Sequence, residues 1–131
     1  MESYAQDPMT LDANIIIGFL AGDEAIVELL SQWQEDGRPL FLSSIVEAEV
    51  LSFSNWTIAE REAAETFFEE NFTLIPLDRT LARITAEIRR NSKTKFPDAA
   101  IAATALFTRT PLVTRNVKDF KHISGLQVVT V

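Results

Sequence analysis

The feature that most constrains the fold of this chain is the alternation of short apolar strands with longer helical segments along its 131 residues. Apolar runs predict strands at about 9–12, 40–42, 72–75, 112–114 and 126–130. The intervening segments predict helices at about 14–21, 23–36, 44–53, 57–70, 78–90 and 97–109. Strands that alternate with helices predict an α/β fold, with a central, mainly parallel sheet covered by helices on both faces.

Composition narrows the class of protein further. A hydrophobic content of 47% argues against disorder, and the length suits a single domain spanning residues 1–131. The sequence has no cysteine, which excludes disulfides, thiolate metal sites and a cysteine nucleophile. The acidic N-terminus lacks a secretory pattern, and the longest near-apolar run, 15–22, is too short to span a bilayer. We therefore expect a soluble, cytoplasmic protein with no membrane association.

The charges divide unevenly between two parts of the chain. Residues 1–78 carry 16 acidic and two basic side chains, whereas residues 79–131 carry ten basic and three acidic ones. The basic part could face a polyanion, or its charges could simply lie on solvated helix faces. The sequence leaves both interpretations open.

Isolated acids occur where the predicted strands and helices meet: Asp12, Glu49, Asp98 and Asp119. Strand ends and helix starts share the carboxyl edge of a parallel sheet, which is where open α/β sheets bind ligands. Four carboxylates at one edge would repel each other unless a cation held them. The pattern therefore predicts a metal site formed by these four residues, which are also the candidate catalytic residues.

Helix capping offers a competing explanation for some of these acids. Asp12 or Asn14 could cap the following helix, and Asn14 alone would suffice, which leaves Asp12 for the site. Asp98, directly after Pro97, suits a helix first turn without any chemistry. Glu47 lies about 200° from Glu49 on one helix and would complete a capping box with Ser44, so Glu49 is the better site candidate.

Two polar residues follow the strand at 112–114 on the same edge. Thr114 and Asn116 could orient the carboxylates or contact a substrate phosphate. His122 is the only histidine, and we expect it at the surface.

At these residues the chain resembles PIN-domain ribonucleases and, among them, VapC-type toxins of toxin–antitoxin pairs. The resemblance rests on Leu11-Asp12-Ala13-Asn14-Ile15-Ile16-Ile17, Ala48-Glu49-Val50, Phe96-Pro97-Asp98-Ala99-Ala100-Ile101-Ala102-Ala103-Thr104-Ala105 and Leu112-Val113-Thr114-Arg115-Asn116-Val117-Lys118-Asp119-Phe120. It covers nearly the whole chain, with the motifs in order.

The resemblance implies an endoribonuclease that depends on Mg²⁺ or Mn²⁺ and hydrolyses RNA with a metal-activated water. It implies that Asp12 and Asp98 are the principal metal ligands, and that Glu49 and Asp119 act as outer or water-mediated ones. It also implies a homodimer and a small cognate antitoxin, for which large apolar residues of the first and third helices could provide surface: Phe19, Leu20, Leu51, Phe53 and Trp56.

Two other classes remain as alternatives. A phospho-acceptor receiver domain has a similar size, a parallel sheet and an Asp at a strand end. Its site requires adjacent acids after the first strand, however, and this chain has Ile15-Ile16-Ile17 there. The other alternative is a PIN-like protein that only binds partners and has an idle metal site.

Overall fold

The computed structural model describes residues 6–131, which form five strands and seven helices. The strands are β1 (Met9–Leu11), β2 (Leu40–Ser43), β3 (Thr73–Ile75), β4 (Leu112–Thr114) and β5 (Val128–Thr130). The helices are α1 (Ala13–Leu20), α2 (Glu24–Glu35), α3 (Ser44–Leu51), α4 (Ile58–Asn71), α5 (Arg79–Asn91), α6 (Phe96–Thr108) and α7 (Val117–Phe120).

All five strands are parallel and lie in the order β3-β2-β1-β4-β5, which confirms the predicted α/β class. Every residue of β1 and β4 is buried, so helices cover both faces of the sheet at its centre. The chain runs outward from β1 through β2 and β3, and then returns to the other side of β1 with β4. The order of the strands therefore reverses between β1 and β4, which opens a crevice at their carboxyl ends.

The strand order excludes the receiver-domain alternative. In the flavodoxin-like order of receiver domains, 2-1-3-4-5, the first strand lies between the second and third. Here β1 pairs with β2 and β4, and β3 lies at the edge. That interpretation of the sequence was wrong.

Helix α6 lies close to the sheet because its inner residues are small. Five alanines between positions 99 and 105 are fully buried, and the helix contacts β1, β2 and α5. Small side chains allow the helix backbone to approach the strands closely. This packing places the first turn of α6, with Asp98, near the carboxyl ends of the central strands.

Most element boundaries agree with the prediction to within two residues, but one helix was missed. The segment between the strands predicted at 112–114 and 126–130 was expected to be a loop, whereas its residues 117–120 form the helix α7. With only four residues, α7 is too short to show helical periodicity. It contacts α6 and β5 and carries Asp119.

Among residues 6–131, no helix is long and apolar enough to cross a bilayer.

Candidate active site

Asp12 is held rigidly at the end of β1. It is the N-cap residue of α1, and its Oδ1 accepts a hydrogen bond of 2.8 Å from the Ala13 backbone N–H. The residue is only 5% exposed. Burial raises the pKa of its carboxyl group above the ordinary value, opposed by two hydrogen bonds and reinforced by the charge of Asp119. A buried carboxylate that is desolvated and repelled by a neighbouring acid favours a cation as its partner.

The second hydrogen bond to Asp12 comes from β4. Thr114 donates its hydroxyl to Oδ2 of Asp12 at 2.7 Å, and it is itself fully buried. The hydroxyl oxygen of Thr114 in turn accepts hydrogen bonds from Nδ2 of Asn14 at 3.2 Å and from the Asn116 backbone N–H at 2.9 Å. A hydroxyl has one hydrogen to donate and two lone pairs, so its capacity is filled. Thr114 can therefore orient Asp12, but it has no capacity left for a substrate phosphate.

Asn14 is a site residue that sequence reasoning missed. We expected it to cap α1, but Asp12 occupies the N-cap position. The carboxamide of Asn14 instead joins β4: it donates to Thr114 and accepts a hydrogen bond of 3.4 Å from the Arg115 backbone N–H. The capping argument that assigned Asn14 to the helix and left Asp12 free was wrong. Asp12 both caps the helix and faces the site.

Asn116 contributes its backbone to the network. Its N–H donates to Thr114, and it stands at the N-cap of α7 without a capping hydrogen bond from its side chain. The residue is exposed, so its carboxamide is accessible to a ligand. Its role in orienting substrate stays a prediction.

Asp98 lies in the first turn of α6 and is half-buried. The N-cap of this helix is Lys95, and no side chain caps it by a hydrogen bond, but Asp98 does lie in the first turn, where a negative charge also suits the helix dipole. Burial raises the pKa of the Asp98 carboxyl group, and the charges of Asp12 and Asp119 raise it further, whereas Lys95 lowers it.

Glu49 and Glu47 have different neighbours. Burial raises the pKa of Glu49, and so do the charges of Asp12 and Asp98. The pKa of Glu47 is also raised by burial, but the acids that act on it are Glu69 and Glu65 of α4. Glu49 therefore belongs electrostatically to the candidate site, and Glu47 belongs to the interface between α3 and α4.

The capping box expected at Ser44 and Glu47 is absent at the start of α3. The N-cap is Ser43, whose Oγ accepts a hydrogen bond of 3.2 Å from the Ile45 backbone N–H. The Oγ of Ser44 accepts one of 3.0 Å from the Leu77 backbone N–H. The prediction of a capping box was wrong because two serines are adjacent here, and the first of them, Ser43, occupies the N-cap position.

Asp119 lies on α7 and is exposed. Its charge raises the pKa values of both Asp12 and Asp98, which places it within electrostatic reach of the other acids. The four sequence-predicted carboxylates thus share one electrostatic field, although they come from β1, α3, α6 and α7.

The carboxylates do not form a closed cage. Within the part of the chain that the structure describes, no three His, Cys, Asp or Glu side chains are grouped so that they could hold a metal ion by themselves. Mg²⁺ does not require such a cage, since it keeps several waters and is usually bound through one or two carboxylates and substrate phosphate. An all-oxygen donor set with unbalanced negative charge fits a hydrated, hard divalent cation.

The chain is similar to known proteins over nearly its whole length. The PIN-domain family profile matches residues 9–126. The ribonuclease VapC1 of Rickettsia felis is 32% identical over 133 residues, covering 94% of this chain and 96% of its own. The solved structure of a toxin–antitoxin complex from Klebsiella pneumoniae contains a chain that is 31% identical with a TM-score of 0.78, covering 93% of this chain and 96% of that one.

A structure of VapBC2 from Rickettsia felis bound to a promoter DNA fragment gives a TM-score of 0.80 at 22% identity. The match covers 95% of this chain and 98% of that one. At this identity the likeness shows the fold alone.

Proposed function

The chain belongs to the PIN-domain family and is a VapC-type ribonuclease toxin of a toxin–antitoxin pair, and we propose that it hydrolyses RNA with a divalent cation held at the carboxyl edge of its sheet. The observation that carries the metal proposal is the buried carboxylate of Asp12, which is oriented by two hydrogen bonds and repelled by neighbouring acids. The proposed domain is the whole chain, acting on RNA in the cytoplasm.

Each acid has a distinct proposed role. Asp12 and Asp98 would hold Mg²⁺ or Mn²⁺, and Glu49 and Asp119 would act from outside them. When bound, the ion would supply an acidified water and would neutralise charge on the phosphoryl oxygens. Burial and two acidic neighbours raise the pKa of Glu49, which makes its carboxylate a better proton acceptor than an ordinary glutamate. In this scheme Glu49 takes the proton of the water that attacks phosphorus. Thr114 and Asn14 keep Asp12 in one orientation throughout.

The test is cleavage of RNA by purified protein free of any antitoxin. We expect cleavage with Mg²⁺ or Mn²⁺, and its loss with a chelator or in Asp12→Asn. The matched control is Asp36→Asn, because Asp36 ends α2 at the opposite edge of the sheet. Cleavage that survives chelation would refute the metal mechanism. Metal binding without any cleavage would leave a PIN-like protein that only binds partners.

We also propose a homodimer and a small antitoxin partner that covers apolar surface near α3. Of the residues suggested for this surface, Phe19, Leu20, Leu51 and Trp56 are partly buried against the core, whereas Phe53 is 47% exposed. Phe53 stacks on Trp56 at 6.1 Å, and the nearby Ile58 is 70% exposed. Exposed apolar groups of this kind are typical of a partner surface.

Light scattering and co-expression test the two partners separately. We expect a dimer at micromolar concentration, and relief of toxicity by the small protein of the neighbouring reading frame. A monomer would refute the dimer. Unrelieved toxicity would refute the antitoxin proposal.

A further inference from the structure

A cleft rich in lysine lies beside the candidate active site. It encloses about 180 Å³ and is bordered by Lys93 and Lys95 of the loop between α5 and α6 and by Lys118 of α7. Asp98 and Asp119 line the same cleft, so it opens directly onto the acids. A cluster of cations next to the site is not explained by the metal mechanism.

The loop that carries two of these lysines is anchored by a chain of hydrogen bonds. Ser92 Oγ donates to the Ile88 carbonyl oxygen at 2.7 Å and lies 2.7 Å from Oγ1 of Thr94, which is 2.9 Å from Nε2 of His122. Because the hydrogen of Ser92 is used on Ile88, Thr94 must donate to Ser92 and accept from Nε2–H of His122. Thr94 is 6% exposed, so the network fixes the loop from inside.

The anchoring turns the lysines outward. Ser92 and Lys95 have extended backbone conformations, and successive side chains of an extended segment point to opposite sides. Ser92 and Thr94 face inward, and Lys93 and Lys95 are exposed. Among residues 6–131 the salt bridges are Arg61 with Glu65 and Arg115 with Asp23, so none of the three cleft lysines forms a salt bridge, although the charge of Lys95 acts on Asp98.

We propose that this cleft binds a backbone phosphate of the RNA substrate on one side of the scissile bond. The three lysines outnumber the two acids that line the cleft, so its lining carries a net positive charge even without a cation, and a divalent cation held by Asp98 and Asp119 would add to that charge. Unpaired lysines on a fixed loop bind phosphate through charge and so position RNA independently of its sequence. The proposal rests on the proposed ribonuclease function and adds where the substrate backbone lies.

The test measures binding and cleavage separately on the same variants. Lys93→Gln, Lys95→Gln and Lys118→Gln are compared with Lys121→Gln, which removes the same charge from an exposed lysine that does not line the cleft. Binding of a labelled single-stranded RNA is followed by fluorescence anisotropy in chelator over a range of salt concentrations. Each cleft variant should weaken binding several-fold and reduce the salt slope by about 0.7, with Lys121→Gln close to wild type.

Cleavage kinetics in Mg²⁺ give the second readout. Loss of a phosphate contact made equally before and during the reaction raises KM and leaves kcat nearly unchanged. Thr94→Val should also weaken RNA binding without changing the charge, because it removes the hydrogen bonds to Ser92 and His122 that hold the loop. Thr94→Ser keeps the hydroxyl and should bind RNA like the wild type.

Two failures can be told apart. If the wild type cleaves RNA but the cleft variants bind like Lys121→Gln, the subsite is refuted and the nuclease stands. If no protein cleaves RNA, the proposed metal mechanism fails. The binding comparison between cleft variants and control still decides the subsite.

Discussion

Replacing Thr114 by Val should remove the hydrogen bond that orients Asp12 while keeping the side-chain volume nearly constant. The lost bond joins two buried residues over 2.7 Å and ends on a carboxylate. A hydrogen bond to a charged group contributes about 1.5–3 kcal/mol. The replacement also takes an acceptor from Asn14 and from Asn116. Water can substitute at Asn116, which is exposed, so we expect a total loss of about 2–4 kcal/mol of unfolding free energy.

The assay is thermal unfolding of the metal-free protein near neutral pH. For a chain of this size, a loss of 2–4 kcal/mol corresponds to a fall in Tm of roughly 6–15 °C. The matched control is Thr104→Val, because Thr104 is equally buried but donates at 3.0 Å to the Ala100 carbonyl oxygen within α6. That carbonyl keeps its helical partner, so the control should lose less than about 1 kcal/mol.

A second measurement connects the hydroxyl to metal binding. Saturating Mg²⁺ should raise the Tm of the wild type, since a ligand that binds only the folded state stabilises it. Thr114→Val should gain less from Mg²⁺, and Thr114→Ser should behave like the wild type. If Thr114→Val and Thr104→Val lose equal stability and gain equally from Mg²⁺, Thr114 does not orient a metal ligand and the reasoning fails.

Three further predictions concern the acids themselves. Asp98→Asn should raise the Tm of the metal-free protein by removing a repelled charge and should lower it relative to wild type in saturating Mg²⁺; parallel shifts in both conditions would mean that Asp98 is not a ligand. The pKa of Asp98 in the folded state lies above its ordinary value of 3.8, so its ionisation disfavours folding. The Tm difference between metal-free Asp98→Asn and wild type should therefore be absent below pH 3.8 and grow as pH rises. Thermal unfolding measured across pH checks this. Glu49→Gln should reduce the cleavage rate with little change in Tm, whereas Glu47→Gln should leave cleavage near normal, because Glu47 faces Glu65 and Glu69; the opposite pattern of rates would identify Glu47 as the site residue.

Local patterns in the sequence predicted the fold well. Strands and helices here differ clearly in apolar spacing, and the alternation of the two requires parallel pairing. The helix starts at Thr57 and Asp78 follow from capping residues that act within one turn, and both cap as their types suggest. The edge that collects the acids follows from parallel topology alone.

The roles of individual residues at the site depended on contacts between distant parts of the sequence. Asp12 and Asn14 are equally good capping residues, but the carboxamide of Asn14 bonds instead to Thr114 and Arg115, about 100 positions away, and Asp12 is left as the cap. The choice between Ser43 and Ser44 likewise depends on the Leu77 backbone, which engages the second serine. No local pattern contains this information, because the partner is fixed only when the strands pair.

The bond between Asp12 and Thr114 joins residues 102 positions apart, from the first and the fourth strands. During synthesis β1 is made early, and its second neighbour in the sheet, β4, becomes available only after residue 114 has been added. Until residue 114 has been added, the growing chain carries Asp12 without the hydroxyl that sets its direction. A partly made chain therefore lacks the organised site, and the capacity to damage RNA arises late in synthesis. The order of the strands therefore places the contact that organises Asp12 among the last long-range contacts that a growing chain can make.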